Sequence, residues 1–263
     1  MKILNKYFLF LYLFHIILSV LFNYIAYTSY LTNLHNSEGT WNFMRDSLLY
    51  HNEALILLNF LDTNDLYQFI ISFNAHVHVK IISLLYYFTS FNFPMIYIPF
   101  HSFLWVISVL LIFESTKKIF NKRSAYIAII PLFFISYLTL YMGLLRESFN
   151  ILGYSLYIYA IINIYKQNNL KKNIFLFLLS FIILLIIRAY LIPIILIFSL
   201  LLFIYFYFIK KVSFRSLLSI CLIMTFSIFL NLNSFLSLGY NDEHREIRNH
   251  ILNYFLEIED VAE

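Results

Sequence analysis

The sequence predicts an all-α, polytopic integral membrane protein with about seven transmembrane helices and one outside loop that carries an interfacial helix. Three observations predict it. First, the 263 residues are 62% hydrophobic and only 12% charged, with a mean hydropathy of +0.79, whereas soluble domains sit at about 45–50% apolar and about 25% charged. Second, apolar runs recur that approach the roughly 20 residues needed to cross a hydrocarbon core of about 30 Å. Third, acidic and basic residues segregate between alternate loops. With four Gly and four Pro, the chain lacks the composition of a disordered, collagen-like or nucleic-acid-binding protein. Cys221 is the single cysteine; it lies in an apolar run, reads as a small buried hydrophobe, and rules out an intrachain disulfide.

The first apolar run, 7–30, follows Lys2 and Lys6. Its length and the lack of a small-residue cleavage site predict a retained anchor with its N-terminus inside. Further runs at 94–113, 125–143, 149–165, 174–187, 191–209 and 217–236 complete the count. The run at 174–187 is short and ends at Arg188, after which Pro193 is expected to bend the chain. These boundaries make 1–239 a membrane domain and 240–263 an acidic C-terminal tail on the outside.

The charges agree with that map, because loops on the inside of a membrane are enriched in Lys and Arg. Lys2, Lys6, Lys117, Lys118, Lys122, Arg123, Lys166, Lys171, Lys172, Lys210, Lys211 and Arg215 fall inside, with Glu114 the one acid among them. Every other acid falls outside. The inside loops are short, and no Gly-rich phosphate loop is present, so chemistry on a soluble nucleotide donor in the cytosol is not expected.

The outside loop, about 31–80, is where reactive side chains gather. If residues 46–61 are helical, Asp46, Tyr50, Glu53 and Leu57 form one stripe at i, i+4, i+7 spacing. Leu48, Leu55 and Leu58 lie opposite, which fits a helix half sunk at the headgroup level. A carboxylate held there is poorly solvated and suited to act as a general base, with Asp46 the first candidate and Glu53 the second. His51 follows Tyr50 directly. His76 and His78 alternate at strand spacing and, with Asp62 or Asp65, offer ligand types suited to a divalent metal, although two histidines do not complete such a site. No cofactor is otherwise evident. His15 and His101, inside spans, read as packed and hydrogen-bonded.

Two arginines stand near membrane depth. Arg146 and Glu147 sit between two spans with almost no polar loop around them, and Arg188 closes a third. An arginine at a helix centre costs about 2.5–3.5 kcal/mol on insertion scales, and so it faces a partner or a polar cavity. Both fall at the outside ends of their spans. A guanidinium fork matches the paired oxygens of a phosphate or pyrophosphate and keeps its charge on burial; the plainer alternative is pairing of Arg146 with Glu147, or snorkelling to the interface.

The order of these features is a first span, then Asp46-x-x-x-Tyr50-His51-x-x-Ala54, then His and a Leu-Leu-Tyr-Tyr run. A span ending in Lys-Lys-Ile-Phe, another closing in Leu-Leu-Arg-Glu-Ser, and Ile-Ile-Arg-Ala-Tyr-Leu follow. Across about residues 1–205, this resembles the bacterial membrane glycosyltransferases of the GT-C superfamily, particularly the branch found near surface-polysaccharide and O-antigen genes. The resemblance implies an outward-facing active site in the bacterial inner membrane, a polyprenyl-phosphate-linked sugar as donor, and a glycan or lipid-linked acceptor. It also implies an acid in the first outside loop near the reacting groups, matched by Asp46, with Arg146 and Arg188 beside the lipid phosphate. Tyr50, His51, His76 and Glu147 complete the expected substrate-binding set. GT-C enzymes are generally longer, so a minimal, partner-dependent or truncated member is also expected from the length.

The function expected is transfer of a sugar from a polyprenyl-linked donor at the outer face. An O-antigen polymerase joining carrier-linked repeat units is the alternative enzyme. From a different class come a flippase, a transporter subunit and a non-catalytic remnant; transporters favour Gly- or Pro-broken spans with polar residues at the midplane, which this sequence carries sparsely.

Overall fold

The computed structural model describes residues 2–35, 39–41, 45–73, 76–133, 144, 146–166 and 169–188, with a few positions between 195 and 204. The expected span at 217–236 and the tail at 240–263 lie outside the described residues, as do 134–143 and most of 191–209. In chain order the α-helices are α1 (Lys2–Ile25), α2 (Arg45–Asp62), α3 (Leu66–Ile71), α4 (Val77–Thr89), α5 (Ile98–Ile119), α6 (Lys122–Ile129), α7 (Glu147–Tyr165) and α8 (Leu170–Arg188). There is no strand among the described residues; His35 and Trp41 make an isolated antiparallel bridge.

Three described segments are long and apolar enough to cross a membrane: Tyr7–Ile25, Pro94–Ile119 and Leu170–Ile187. They match the expected runs at 7–30, 94–113 and 174–187, with the first ending earlier and the second later. The run at 149–165 is also a helix, the 19-residue α7. It packs between α5 and α8, which is why it can hold Asn150 and Asn163 in buried positions. The run at 125–143 begins as α6 and gives way to a 3-10 turn over Ile130–Phe133. Pro131 stands in that turn and has no N–H to continue the α-helical ladder.

The helix contacts are built from aromatic and small residues. Gly153 of α7 lets α8 come close: a Cβ there would lie 2.7 Å from the Leu184 side chain. One turn further along, Tyr157 stacks near Phe177 and Phe181, with ring centroids at 5.7 and 6.0 Å. A short connection makes α7 and α8 antiparallel neighbours, and the Gly153–Leu184 register brings the backbone of Arg188 to the end where α7 begins. On the other side of α5, α1 packs through Leu11 against Trp105, Val106, Val109 and Leu110.

The two ends of this bundle differ in chemistry. At one end Lys117, Lys118, Lys122, Arg123, Lys166, Lys171 and Lys172 gather where α5, α6, α7 and α8 meet. There Lys118 Nζ donates to Asn163 Oδ1 at 2.6 Å and lies 4.4 Å over the Tyr159 ring. Lys166 Nζ donates to the Lys118 carbonyl. At the opposite end a hairpin of α2 and α4, joined through α3, packs across the ends of α1, α5 and α7. Its core holds Tyr50, Ala54, Leu57, Val79, Ile82 and Tyr86, with Ile25, Phe100 and Phe149 against it.

Candidate active site

The α2–α4 hairpin brings together the residues that the sequence singled out in the outside loop. Helix α2 covers the expected 46–61 and is oriented by its apolar positions: Ser47, Tyr50, Ala54, Leu57 and Leu61 recur at helical spacing and are buried. The stripe Asp46–Tyr50–Glu53–Leu57 therefore does not face water as a whole. Asp46, in the first turn, is exposed, whereas Tyr50, Glu53 and Leu57 turn inward with 2%, 5% and 0% of their surface exposed. The apolar positions expected to meet lipid are divided as well, Leu58 being buried while Leu48 and Leu55 are half-buried. Packing against α4 wins over lipid contact for this face.

Glu53 is the central finding. Its Oε1 and Oε2 lie 3.0 and 2.8 Å from His76 Nδ1. A carboxylate only accepts, so Nδ1 carries the proton and, in the neutral ring, Nε2 carries the lone pair. His76 occupies the N-cap position of α4 but makes no side-chain cap bond to the helix; its ring is committed to Glu53 instead. The turn before it is tight. His76 N–H donates to the Phe73 carbonyl at 2.9 Å, and Phe73 holds φ at +50°, an unfavourable region for a bulky residue.

Tyr50 lies beneath both histidines. The His76 and His78 rings make T-shaped contacts with it at 5.0 and 4.4 Å, at 71° and 90°, and the two histidine rings are 6.2 Å apart. The expected strand spacing of His76 and His78 is instead a helix start: His76 caps α4 and His78 is its second residue. Burial, with the neighbouring His76 and Arg146 adding to it, lowers the His78 pKa to about 3, so the ring is neutral. His78 Nε2 is buried without a hydrogen-bond partner among the described residues. Burial raises the Tyr50 pKa to about 12, Arg146 opposing this and Asp46, Glu147 and Glu53 adding to it.

Arg146 and Glu147 join the cluster from the start of α7. Arg146 takes the N-cap position and its carbonyl accepts from Phe149 and Asn150 at 3.1 and 3.3 Å. Glu147, in the first turn, sits where the helix dipole favours an acid. The join is fastened by the Leu144 N–H, which donates to Ser47 Oγ at 2.9 Å. Arg188 ends α8, and its side chain lies outside the described residues.

Other expected participants lie elsewhere. His51 Nδ1 bonds the Tyr86 hydroxyl at 2.9 Å on another side of α2. Asp65 caps α3, accepting from Gln68 N–H at 3.1 Å, and Asp62 is exposed at the end of α2. Among the described residues no group of three or more His, Cys, Asp or Glu side chains is arranged to hold a metal ion. Sequence reasoning passed over Ser47 and weighed His78 as a metal ligand against a role in hydrogen bonding or at the interface; the Ser47–Leu144 bond spans 97 residues and left no local signal.

Between two helices long and apolar enough to cross a membrane, α1 and α5, His15 Nδ1 bonds Ser102 Oγ at 2.8 Å, with Ser19 Oγ of α1 at 3.2 Å, and its ring lies 4.5 Å from that of Trp105. This is the packed, hydrogen-bonded role expected of it.

No protein family, curated protein or solved structure matches this chain.

Proposed function

We propose that the protein is a membrane glycosyltransferase of bacterial surface-polysaccharide assembly, transferring a sugar from a polyprenyl-linked donor to an acceptor hydroxyl at the outer face of the inner membrane. One observation carries the reading. The pair of buried Glu53 and half-buried His76 lies beside Tyr50, on which Arg146 also acts, at the end of the bundle opposite the lysine-rich loops. Such a site combines a proton-accepting group with a cation suited to phosphate oxygens. The positive-inside rule turns the lysine-rich end toward the cytosol and this site outward, where carrier-linked sugars are presented.

In this reading the acceptor hydroxyl loses its proton as its oxygen attacks the anomeric carbon, and the carrier phosphate departs with the bonding electron pair. Arg146, with Arg188 at the same end of the bundle, balances the growing phosphate charge. Asp46, exposed at the head of α2, meets the acceptor or its solvent shell. The deciding experiment is the surface-glycan profile of a deletion strain, complemented with wild type or with Asp46→Asn or Glu53→Gln. Loss of one sugar or branch on deletion, restored by the wild type, supports the transferase, and weaker restoration by either variant ties that acid to the site. Single repeat units without a ladder convert the reading to a polymerase, and an unchanged glycan overturns it.

A further inference from the structure

We propose that the proton acceptor of this site is His76 Nε2, and that Glu53 is the positioning residue that fixes the ring in the required tautomer. The inference rests on the glycosyltransferase reading and names the group that works within it.

Of the acids that the sequence offered as a base, neither is placed to serve. Both oxygens of Glu53 are engaged by His76 Nδ1, at 3.0 and 2.8 Å, and the residue is 5% exposed. Its carboxylate is turned toward that ring and buried, so an acceptor hydroxyl has little access to it. Asp46 is exposed on the first turn of α2, ahead of the buried positions of that helix that pack with α4.

His76 has what both lack. Its Nδ1 is occupied and its ring is braced against the Tyr50 ring, while the side chain keeps 25% of its surface open. Nε2 has no partner among the described residues, so the lone pair that the Nδ1–H···carboxylate contact leaves there is available. The ring is held from three sides: by Glu53, by Tyr50, and by the tight turn from Phe73. An orienting carboxylate, a fixed imidazole and an open second nitrogen form the arrangement in which histidine acts as a general base. His78 adds to it by staying neutral at 6.2 Å, so that a positive charge arising on His76 meets no second imidazolium.

The acceptor O–H gives its proton to His76 Nε2 while its oxygen bonds the anomeric carbon of the glycosyl polyprenyl phosphate. The bond from that carbon to the phosphate oxygen breaks, and the phosphate leaves with the electron pair. The imidazolium, stabilised by Glu53, then returns its proton to water.

Two measurements test this. The first needs no substrate: the 15N spectrum of the full-length protein labelled in histidine and reconstituted in lipid nanodiscs, with His76 assigned by its absence in His76→Asn. A protonated Nδ1 and an unprotonated Nε2 at neutral pH are expected; a protonated Nε2 overturns the proposal. The second is the initial rate of glycan assembly in membrane vesicles of the host that carry their own carrier-linked sugars. His76→Asn should lower it by about 10²–10⁴-fold at unchanged protein level. Glu53→Gln should lower it less, with partial rescue by Glu53→Asp. Wild-type rates in His76→Asn, in vesicles where deletion abolishes assembly, overturn the role of His76 while leaving the transferase reading intact. Assembly that survives deletion overturns both.

Discussion

The Leu144 N–H donates to Ser47 Oγ at 2.9 Å, and this single contact joins the first turn of α2 to the segment that enters α7. It sets Tyr50 and Glu53 on one element against Arg146 and Glu147 on another. Ser47→Ala leaves the buried Leu144 N–H without an acceptor, a loss of about 1–3 kcal/mol. The expected outcome is a lower unfolding temperature in nanodiscs and, if the protein is the glycosyltransferase proposed above, a fall in glycan assembly, because the two halves of the site separate. Wild-type values in both would show that the contact is dispensable.

A second prediction concerns the α7–α8 interface. Gly153→Ala places a methyl group 2.7 Å from the Leu184 side chain, and overpacking of this kind costs about 1–3 kcal/mol. The strain should be relieved by Leu184→Ala, so the double variant should be more stable than the sum of the two single changes implies. Thermal unfolding of the four proteins measures that coupling. Additive losses would mean that the helices do not meet at this register.

Much of this arrangement was legible in the sequence. Helical spacing over 46–61 predicted α2, and the segregation of charge predicted the lysine-rich end. The orientation of α2 was not legible, because Tyr50, Glu53 and Leu57 form a stripe whether they face solvent or α4; only the partner decides. His76 and His78 two residues apart suggested a strand, since a histidine capping a helix and the second residue of that helix have the same spacing. The Glu53–His76 pairing spans 23 residues and depends on how the turn through α3 closes, which no local pattern specifies.

The buried histidine makes stability pH-dependent. His78 has an ordinary value near 6.5 when unfolded and about 3 when folded, so between these values the unfolded chain binds the extra proton. Stability contributed by the neutral ring is therefore complete above about pH 6.5 and falls as the pH drops toward 3. The half-buried His51, lowered by the same burial, acts in the same direction. His78→Phe should flatten the acid decline in unfolding temperature relative to wild type. An equal slope in both would show that His78 does not govern it.

Orientation in the membrane can be tested at both ends of the bundle. On a Cys221→Ser background, Asp46→Cys occupies an exposed position on α2 and Lys171→Cys an exposed position at the start of α8. A membrane-impermeant maleimide added to intact cells or spheroplasts should label the first and not the second, with the second appearing only after permeabilisation. The reverse pattern would turn the site toward the cytosol and remove the carrier-linked donor from reach.

The His15–Ser102 contact predicts a small effect, despite its burial. The two side chains bond at 2.8 Å between α1 and α5, and Ser19 reaches the same nitrogen at 3.2 Å. Interhelical hydrogen bonds within a membrane average about 0.6 kcal/mol and reach about 1.7, because helices separated in lipid find substitute partners. Ser19 is such a substitute. A double-mutant cycle of His15→Leu and Ser102→Ala should therefore give a coupling within that range, and adding Ser19→Ala should raise the cost of Ser102→Ala. A coupling of several kcal/mol would mean that the histidine does more than join two helices, and would move attention from the α2–α4 end into the bundle itself.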